Sequence, residues 1–251
     1  MIKIRETKKI LGFNLNKIFP NLFKVNKKSY KRSKKNPWEK IFKRGVPYDL
    51  QVPIVDFRRI VQLLKNNKAK KILDVAMGSG RHSLALASEG FQMYGFDLSE
   101  SALEITINSL KNSHYEGHFR LGDMFEIYPY KTNFFDAVIA IQAIYHGYKD
   151  DMQRAIDESA RVLKNDGLFI FNTSRDKKRP ALGGDEDKIA EIDSDTYLPL
   201  EGREKGLVHY YPDKNRLKEM LSQYFYDITI KDDKIHKYFL VICRKKDKGI
   251  L

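Results

Sequence analysis

The 251-residue sequence contains a single cysteine, Cys243, which excludes a disulfide framework and a zinc site built from cysteines. It also lacks a run of about 18 apolar residues, the length that a membrane-spanning helix requires. The basic N-terminus is not followed by the apolar segment and small-residue cleavage site of a secretory signal. These absences indicate a reducing compartment, and we expect the protein in the cytoplasm.

Positive charge is concentrated in one part of the chain. The net charge is +13, but residues 1–36 hold 12 Lys/Arg and one acid, which leaves +2 for the remainder. We therefore distinguish a basic N-terminal extension, 1–36, from a nearly neutral domain, 37–251. The extension mixes basic and apolar residues, which suits an anionic partner. A membrane surface would place the protein at the periphery of the membrane, and RNA is the other candidate.

Beyond residue 70, strand and helix patterns alternate along the chain. Buried strands are predicted at 71–76, 92–96, 118–121, 134–141 and 168–172. The helices between them imply a parallel sheet covered on both faces. A charged segment at 175–210 is predicted to be irregular, and two long strands then form an antiparallel hairpin over 224–243. The expected fold class is α/β, with a doubly wound, mostly parallel seven-stranded sheet and a C-terminal hairpin.

The segment DVAMGSGRH, residues 74–82, joins the first strand to the first helix. Its glycines allow a sharp turn and a close approach of the backbone to a ligand. The spacing does not fit a Walker loop, and the third glycine of a dinucleotide fingerprint would fall at Ser83. Asp74 would repel a pyrophosphate but can hold an ammonium group. The segment therefore favours a ligand with a cationic amino-acid portion.

This segment resembles motif I of the class I S-adenosylmethionine-dependent methyltransferases, an acid followed by alternating glycines. Asp74, Gly78 and Gly80 match the motif, and Ala76 stands in place of the first glycine. The loop is also similar to the GxGRH loops of short stand-alone methyltransferases. The resemblance implies a Rossmann-like fold and S-adenosylmethionine as cofactor.

Later motifs follow in the order of that family. Asp97 ends the second strand, where the resemblance implies that a carboxylate takes the ribose hydroxyls. Asp123 and Met124 follow the third strand, where the family contacts the adenine, and Gln142 ends the fourth, beside the methionine portion. The full set of expected cofactor-binding residues is Asp74, Ala76, Met77, Gly78, Gly80, Asp97, Leu98, Asp123, Met124 and Gln142.

The acceptor side carries two candidate catalytic residues. His146 follows the fourth strand and His209 ends the 175–210 segment, and a neutral imidazole suits general base catalysis. A structural or pocket-wall role remains the alternative for both. The 175–210 segment is expected to form an acceptor-site lid, and no metal is expected. Trp38 and Phe42 either cap the cofactor or pack in the core.

Three functions remain open from the sequence. The leading one is transfer of a methyl group to a small-molecule acceptor. The second is an RNA or ribosome-associated methyltransferase that uses the basic extension, although the nearly neutral domain argues against it. The third is a cofactor-binding module without catalysis, against which the intact motif residues argue.

Overall fold

The computed structural model describes residues 37–54, 57–175, 188–233 and 237–247. The basic extension, 1–36, lies outside these residues. That it binds an anionic partner therefore stays a prediction. Within the described ranges, each helix is too short or too polar to cross a membrane.

Ten strands and six helices make up the described part of the chain. The helices are α1 (Pro37–Lys43), α2 (Phe57–Asn66), α3 (Arg81–Ser88), α4 (Glu100–Asn112), α5 (Lys149–Val162) and α6 (Lys214–Ser222), with a 3-10 turn at Tyr48–Leu50. The strands are β1 (Lys71–Val75), β2 (Gln92–Asp97), β3 (Gly117–Leu121), β4 (Phe135–Ala140), β5 (Leu163–Ser174), β6 (Ile189–Asp193), β7 (Thr196–Pro199), β8 (His209–Tyr210), β9 (Phe225–Asp233) and β10 (Tyr238–Lys245).

Seven of the strands form one sheet in the order β3-β2-β1-β4-β5-β10-β9. Strands β1 to β5 run parallel, whereas β10 pairs antiparallel with both β5 and β9. The predicted fold class, a Rossmann-like doubly wound sheet with a C-terminal antiparallel hairpin, is confirmed. The hairpin strands alternate in sequence between core and surface, which is why they could be recognised.

The central strand β1 is buried on both faces. Leu73 and Val75 belong to one core cluster, and Ile72 belongs to the other, where it packs with Ile139 of β4. Helices cover both faces of a parallel sheet, so both sets of side chains are removed from water. The unbroken apolar run of β1 in the sequence follows from this burial.

The order of the strands creates a crevice at one edge of the sheet. Strand β1 pairs with β2 on one side and with β4 on the other, so the chain crosses β1 between β3 and β4. In open α/β sheets, ligands bind outside the carboxyl ends of the strands at such a switch point. The residues that follow β1, β2 and β4 therefore meet at one place.

The prediction that residues 175–210 are irregular is wrong for the described second half of this segment. Strands β6, β7 and β8 form a three-stranded antiparallel sheet there. These strands are short and carry charged residues, so their periodicity is weak in the sequence. A turn with Asp195 at φ 54° joins β6 to β7.

We call the segment 74–82, between β1 and α3, the glycine loop. Gly80 lies in this loop, and Gly90, which follows α3, is a matched control for packing there. Both have positive φ, 73° and 88°, but an added Cβ at Gly80 would lie 2.5–2.9 Å from side-chain atoms of Thr106. An added Cβ at Gly90 would have no neighbour within 4 Å. We expect Gly90→Ala to lower the free energy of unfolding by about 1 kcal/mol through backbone strain alone.

Gly80→Ala should lose about 1–3 kcal/mol more, because Thr106 must also move. Urea unfolding of both variants measures the difference, and equal losses would show that α4 does not pack against the loop as described. Thr106→Ala in the Gly80→Ala background should recover part of the additional loss.

Candidate active site

The loop between β1 and α3 turns through three residues with left-handed backbone. Ala76, Gly78 and Gly80 have φ values of 53°, 58° and 73°. Ala76 is thus strained at the position where the family motif has glycine, a cost of about 1–2 kcal/mol. The Met77 amide donates to the Phe96 carbonyl at 3.2 Å, and Thr106 Oγ1 donates to the Gly78 carbonyl at 3.0 Å. These bonds fix the loop against β2 and α4.

Asp97 lies at the end of β2, directly beside this loop. Its Oδ2 accepts a hydrogen bond from the Gly78 amide at 2.9 Å, and its Oδ1 accepts one from the Ser99 amide at 2.9 Å. Burial raises the pKa of Asp97 to about 6, although both amide bonds lower it. Each carboxylate oxygen has more than one lone pair, so the two amides orient the group and leave capacity for ligand hydroxyls.

Asp74 is buried within β1, one strand away from Asp97. Ser83 Oγ donates to its Oδ2 at 2.8 Å, which fixes the carboxyl group against the start of α3. Burial raises the pKa of Asp74 to about 7, while the Ser83 hydrogen bond and the charge of Arg81 lower it. A cationic ligand would stabilise the ionised form of Asp74 further.

Gln142 follows β4 and completes the same edge of the sheet. Its backbone has φ 56°, and its amide donates to Asn172 Oδ1 at 2.5 Å. Its side-chain oxygen accepts a hydrogen bond from the Arg81 guanidinium. The sequence analysis did not identify Arg81 and Asn172 as site residues. Both act through Gln142, which is 61 positions from Arg81 and 30 from Asn172.

Asp123 and Met124, the residues expected around the adenine, follow β3, and Leu98, another expected cofactor-binding residue, follows β2. Asp123 Oδ1 accepts from the Phe125 amide at 2.9 Å, so Asp123 also forms the turn that follows β3. Met124 packs against the core, and Leu98 is 47% exposed next to Asp97. All three therefore lie near the carboxyl edge of the sheet, where they were expected.

Residues 37–50 cover the glycine loop. Glu39 accepts hydrogen bonds from Ser99 Oγ at 2.6 Å and from Ser101 Oγ at 2.7 Å. The Phe42 ring lies over Gly78, where an added Cβ would be 3.2 Å from it. Ser79 Oγ donates to the Leu50 carbonyl at 2.7 Å. Phe42 is buried and packs on the glycine loop, so its packing role is observed, while its capping of the cofactor stays a prediction. Glu39 was missed by the sequence analysis.

The two candidate histidines lie together. The imidazole rings of His146 and His209 have centroids 4.9 Å apart, and Nε2 of His209 lies 3.0 Å from Oε2 of Glu204. We call these three side chains the His–Glu cluster. Glu204 was missed because it falls in a charged segment, where an acid is ordinarily solvated. Here Glu204 is buried, and so is His209.

The His–Glu cluster has unusual electrostatics. Burial and the adjacent His209 lower the pKa of His146 to about 4, so its imidazole is neutral at pH 7. Burial alone would raise the pKa of Glu204, but its hydrogen bond with His209 and the charges of His146, His209 and Arg203 lower it to about 2. The cluster thus combines a buried carboxylate with a neutral imidazole.

Aromatic rings surround the His–Glu cluster. Trp38 meets His146 edge-on at 5.1 Å between ring centroids, and Tyr145 lies 6.0 Å from His209 and 5.8 Å from Tyr211. Trp38 belongs to α1, and His146 lies four residues after Gln142, so the cluster adjoins the cover of the glycine loop. The arrangement offers polar groups within an apolar wall, which is typical of small-molecule sites.

His82 and Cys243 occupy structural positions. His82 is buried against Phe57, with ring centroids 5.0 Å apart, and the Ile54 amide donates to its Nε2 at 3.4 Å. Cys243 is fully buried in β10, and burial raises the pKa of its thiol. A thiol in this position is inert.

Comparison with known proteins identifies the central part of the chain. Residues 73–171 match a family described as a methyltransferase domain. A glycine/sarcosine N-methyltransferase of Parasynechococcus marenigrum (strain WH8102) is 32% identical over 114 residues, which cover 45% of this chain and 40% of that protein. A demethylmenaquinone methyltransferase of Leptospira interrogans is 34% identical over 119 residues, 44% of this chain and 46% of that protein. The chain thus aligns with less than half the length of these relatives.

Solved structures share the fold over most of the chain. A protein from Pyrococcus horikoshii OT3 superposes with a TM-score of 0.65 at 22% identity, covering 82% of this chain and 98% of that one. An S-adenosylmethionine-dependent methyltransferase from Clostridium acetobutylicum ATCC 824 gives 0.60 at 16% identity, with coverages of 84% and 96%. The [4+2]-cyclase SpnF gives 0.52 at 20% identity, with coverages of 75% and 80%. At these identities the likeness shows the fold alone.

The fold and the match over residues 73–171 together define a class I methyltransferase domain, and the resemblance stated from the motifs is confirmed. Residues 73–171 therefore match the methyltransferase domain family, and the chain around them has the fold of a solved S-adenosylmethionine-dependent methyltransferase.

The raised pKa of Asp74 predicts a pH-dependent difference between the wild type and Asp74→Asn. In the ligand-free fold Asp74 holds its proton up to about pH 7, whereas an unfolded Asp releases it near pH 3.8. The folded state therefore binds more protons across this window, and its stability falls as pH rises. Asn keeps the acceptor for Ser83 but does not titrate.

We expect the unfolding free energy of the wild type to fall relative to that of Asp74→Asn by about 2–4 kcal/mol between about pH 4 and pH 7. Urea unfolding at a series of pH values measures this difference. A constant difference over the window would show that Asp74 ionises normally.

Proposed function

We propose that this protein transfers a methyl group from S-adenosylmethionine to a small-molecule acceptor. The observation that carries the proposal is the pair of buried carboxylates, Asp74 and Asp97, at the carboxyl ends of adjacent strands beside a glycine turn. S-adenosylmethionine presents an ammonium group and a pair of ribose hydroxyls. One carboxylate is needed for the ammonium group and another for the pair of hydroxyls. Fixed carboxylates suit both groups.

The assignment of groups within the crevice follows the elements that carry them. Asp97 holds the ribose hydroxyls, because its two oxygens are already oriented by the Gly78 and Ser99 amides. Asp74 supports the ammonium group, either directly or through water. Asp123, Met124 and Leu98 form the adenine side, while Gln142 lies on the methionine side. Ala76, Met77 and Gly80 shape the loop that the cofactor crosses.

Methyl transfer from a sulfonium is an in-line displacement. The acceptor atom bonds to the methyl carbon as the carbon–sulfur bond breaks, and the sulfur leaves as a neutral thioether. The donor is already activated, so the protein has mainly to align the nucleophile. An acceptor that must lose a proton also needs a group to take it. We assign this acceptor side to the His–Glu cluster.

Three features support a small molecule as the acceptor. The His–Glu cluster is lined by aromatic rings, and one of them, Trp38, belongs to the same helix as Phe42, which covers the glycine loop. Outside the extension the charge is nearly neutral, which does not favour nucleic acid. Relatives of the matched region include enzymes named for small amine and quinone substrates. The 175–210 segment contributes Glu204 and His209 to this site.

A pair of variants separates cofactor binding from catalysis. Asp97→Ala should weaken binding of S-adenosylmethionine by about 1–3 kcal/mol, because the ribose hydroxyls lose a charged acceptor. His146→Ala should leave that affinity unchanged but reduce turnover by about 10²–10⁴-fold, the contribution of a group that handles a proton. Calorimetry gives the affinity, and release of the demethylated product gives the turnover.

The acceptor for the turnover assay comes from a screen of small phenols, quinols and amines. His114→Ala is the control for loss of an imidazole, because His114 is exposed and lies outside the cluster. If Asp97→Ala binds as the wild type does, Asp97 is not in the cofactor site. If His146→Ala loses cofactor affinity, His146 forms part of the wall instead.

For residues 1–36 we propose an anionic partner, with a membrane surface preferred to RNA. The net charge of +11 supports electrostatic binding, and the interleaved apolar residues suit insertion among lipid headgroups. Chain 37–251 should keep its thermal transition and cofactor affinity but lose salt-sensitive sedimentation with anionic vesicles. Retention on RNA alone in a filter-binding assay would instead favour an RNA-directed methyltransferase, and retention on neither would refute the proposed partner.

A further inference from the structure

We propose that His146, Glu204 and His209 bind one divalent transition-metal ion on the acceptor side of the crevice. One ring nitrogen of each histidine and one carboxylate oxygen of Glu204 all lie within 4.8 Å of one another. Metal binding itself does not depend on the proposed methyl transfer, but the role assigned below rests on it.

The spacing of the donor atoms is close to that of a metal site. Ligands about 2.0–2.1 Å from a tetrahedral Zn²⁺ ion lie about 3.3 Å from one another. Nε2 of His209 and Oε2 of Glu204 are already 3.0 Å apart. The His146 nitrogen lies within 4.8 Å of both of these atoms, so its ring would have to move closer to complete a three-ligand face.

Both ring nitrogens of His209 face an oxygen atom. Its Nδ1 lies 3.0 Å from the Leu207 carbonyl, and its Nε2 lies 3.0 Å from the Glu204 carboxylate. An imidazolium would satisfy both acceptors by donating from both nitrogens. In a metal-loaded site the Nδ1 hydrogen would keep its bond to the Leu207 carbonyl, and the Nε2 lone pair and the Glu204 oxygen would both face the ion.

His146 is oriented in the same way. Its Nδ1 lies 2.9 Å from the Ala143 carbonyl, which fixes the hydrogen on Nδ1 and leaves Nε2 as the basic nitrogen. Histidines that bind metal ions ordinarily donate their other ring nitrogen to a carbonyl or carboxylate, which sets the tautomer and the direction of the ring. Both histidines of the cluster have this support from backbone carbonyls.

The surrounding charges are compatible with a cation. Glu204 is 8% exposed and His209 is 1% exposed, so bulk water screens the charge of the carboxylate only weakly. The nearby Arg203 directs its guanidinium to both oxygens of Asp49, at 2.8 and 2.9 Å, although its charge also acts on Glu204 and His146. Two imidazoles and one carboxylate form a donor set that suits Zn²⁺ or Fe²⁺ and leaves a coordination position open.

With His146 as a ligand of the ion rather than the acceptor of the proton, the open position would have a direct use in methyl transfer. A hydroxyl of the acceptor that binds there loses its proton to solvent more readily, because a metal ion lowers the pKa of a bound oxygen. The oxygen then bonds to the methyl carbon as the carbon–sulfur bond breaks, and the demethylated thioether leaves. The proposed substrate class is therefore a small phenol, enol or alcohol that reacts through oxygen.

The test uses the full chain without an affinity tag, dialysed against a chelator and then titrated with Zn²⁺ alone. Calorimetry should give one ion per chain, and Co²⁺ in place of Zn²⁺ should give visible absorption bands of a site with nitrogen and oxygen ligands. Glu204→Gln and His209→Ala should bind at least about 10–100-fold more weakly, since loss of supporting groups alone costs that much. His114→Ala should bind as the wild type does.

Circular dichroism and thermal unfolding report whether each variant folds, and Glu204→Gln preserves the shape of the side chain. If His209→Ala does not fold, the test of the metal site rests on the stoichiometry of the wild type, its Co²⁺ spectrum and the Zn²⁺ affinity of Glu204→Gln. Absence of one-to-one binding, or equal affinity in Glu204→Gln, would overturn the proposal. A chain that binds S-adenosylmethionine but not Zn²⁺ refutes the metal site alone, whereas a chain that binds Zn²⁺ but not S-adenosylmethionine refutes the methyltransferase proposal.

Discussion

The site depends on the burial of two carboxyl groups at the ends of neighbouring strands. Asp74 and Asp97 are both less than a tenth exposed, and burial raises the pKa values of both. Burial of a charge is costly unless the charge is paired, so such groups are retained where a ligand compensates them. Ser83 and the amides of Gly78 and Ser99 orient the carboxyls in advance, which spares the ligand part of the cost of ordering them.

The other parts of the site are tied to this pair by long-range contacts. The first helix reaches the turn after Asp97 through Glu39 and covers Gly78 with Phe42. Arg81 joins the glycine loop to Gln142, and its hydrogen bond to the Asp49 carbonyl, 2.6 Å long, ties in the 3-10 turn. Because Asp49 also pairs with Arg203, the segment that carries Glu204 is connected to the cover of the glycine loop. The cofactor side and the acceptor side are thus mechanically linked.

Local patterns in the sequence were sufficient for the sheet and for the glycine loop. The apolar run of β1 and the alternation in the hairpin each follow from burial of that element. The sequence could not predict Glu204 in the cluster, because a single acid in a charged segment carries no sign of burial. The ion pair between Asp49 and Arg203 spans 154 positions, and such pairing becomes apparent only once the chain has folded.

Calorimetric titration of the full chain with S-adenosylmethionine, its demethylated product and NAD tests the central claim most directly. We predict one-to-one binding of the first two ligands and weaker or no binding of NAD, because Asp74 repels a pyrophosphate and stabilises an ammonium group. The affinity for S-adenosylmethionine should fall as the pH is lowered through about 7 and 6, where Asp74 and Asp97 take up protons. Binding of NAD without S-adenosylmethionine would contradict this account of the crevice.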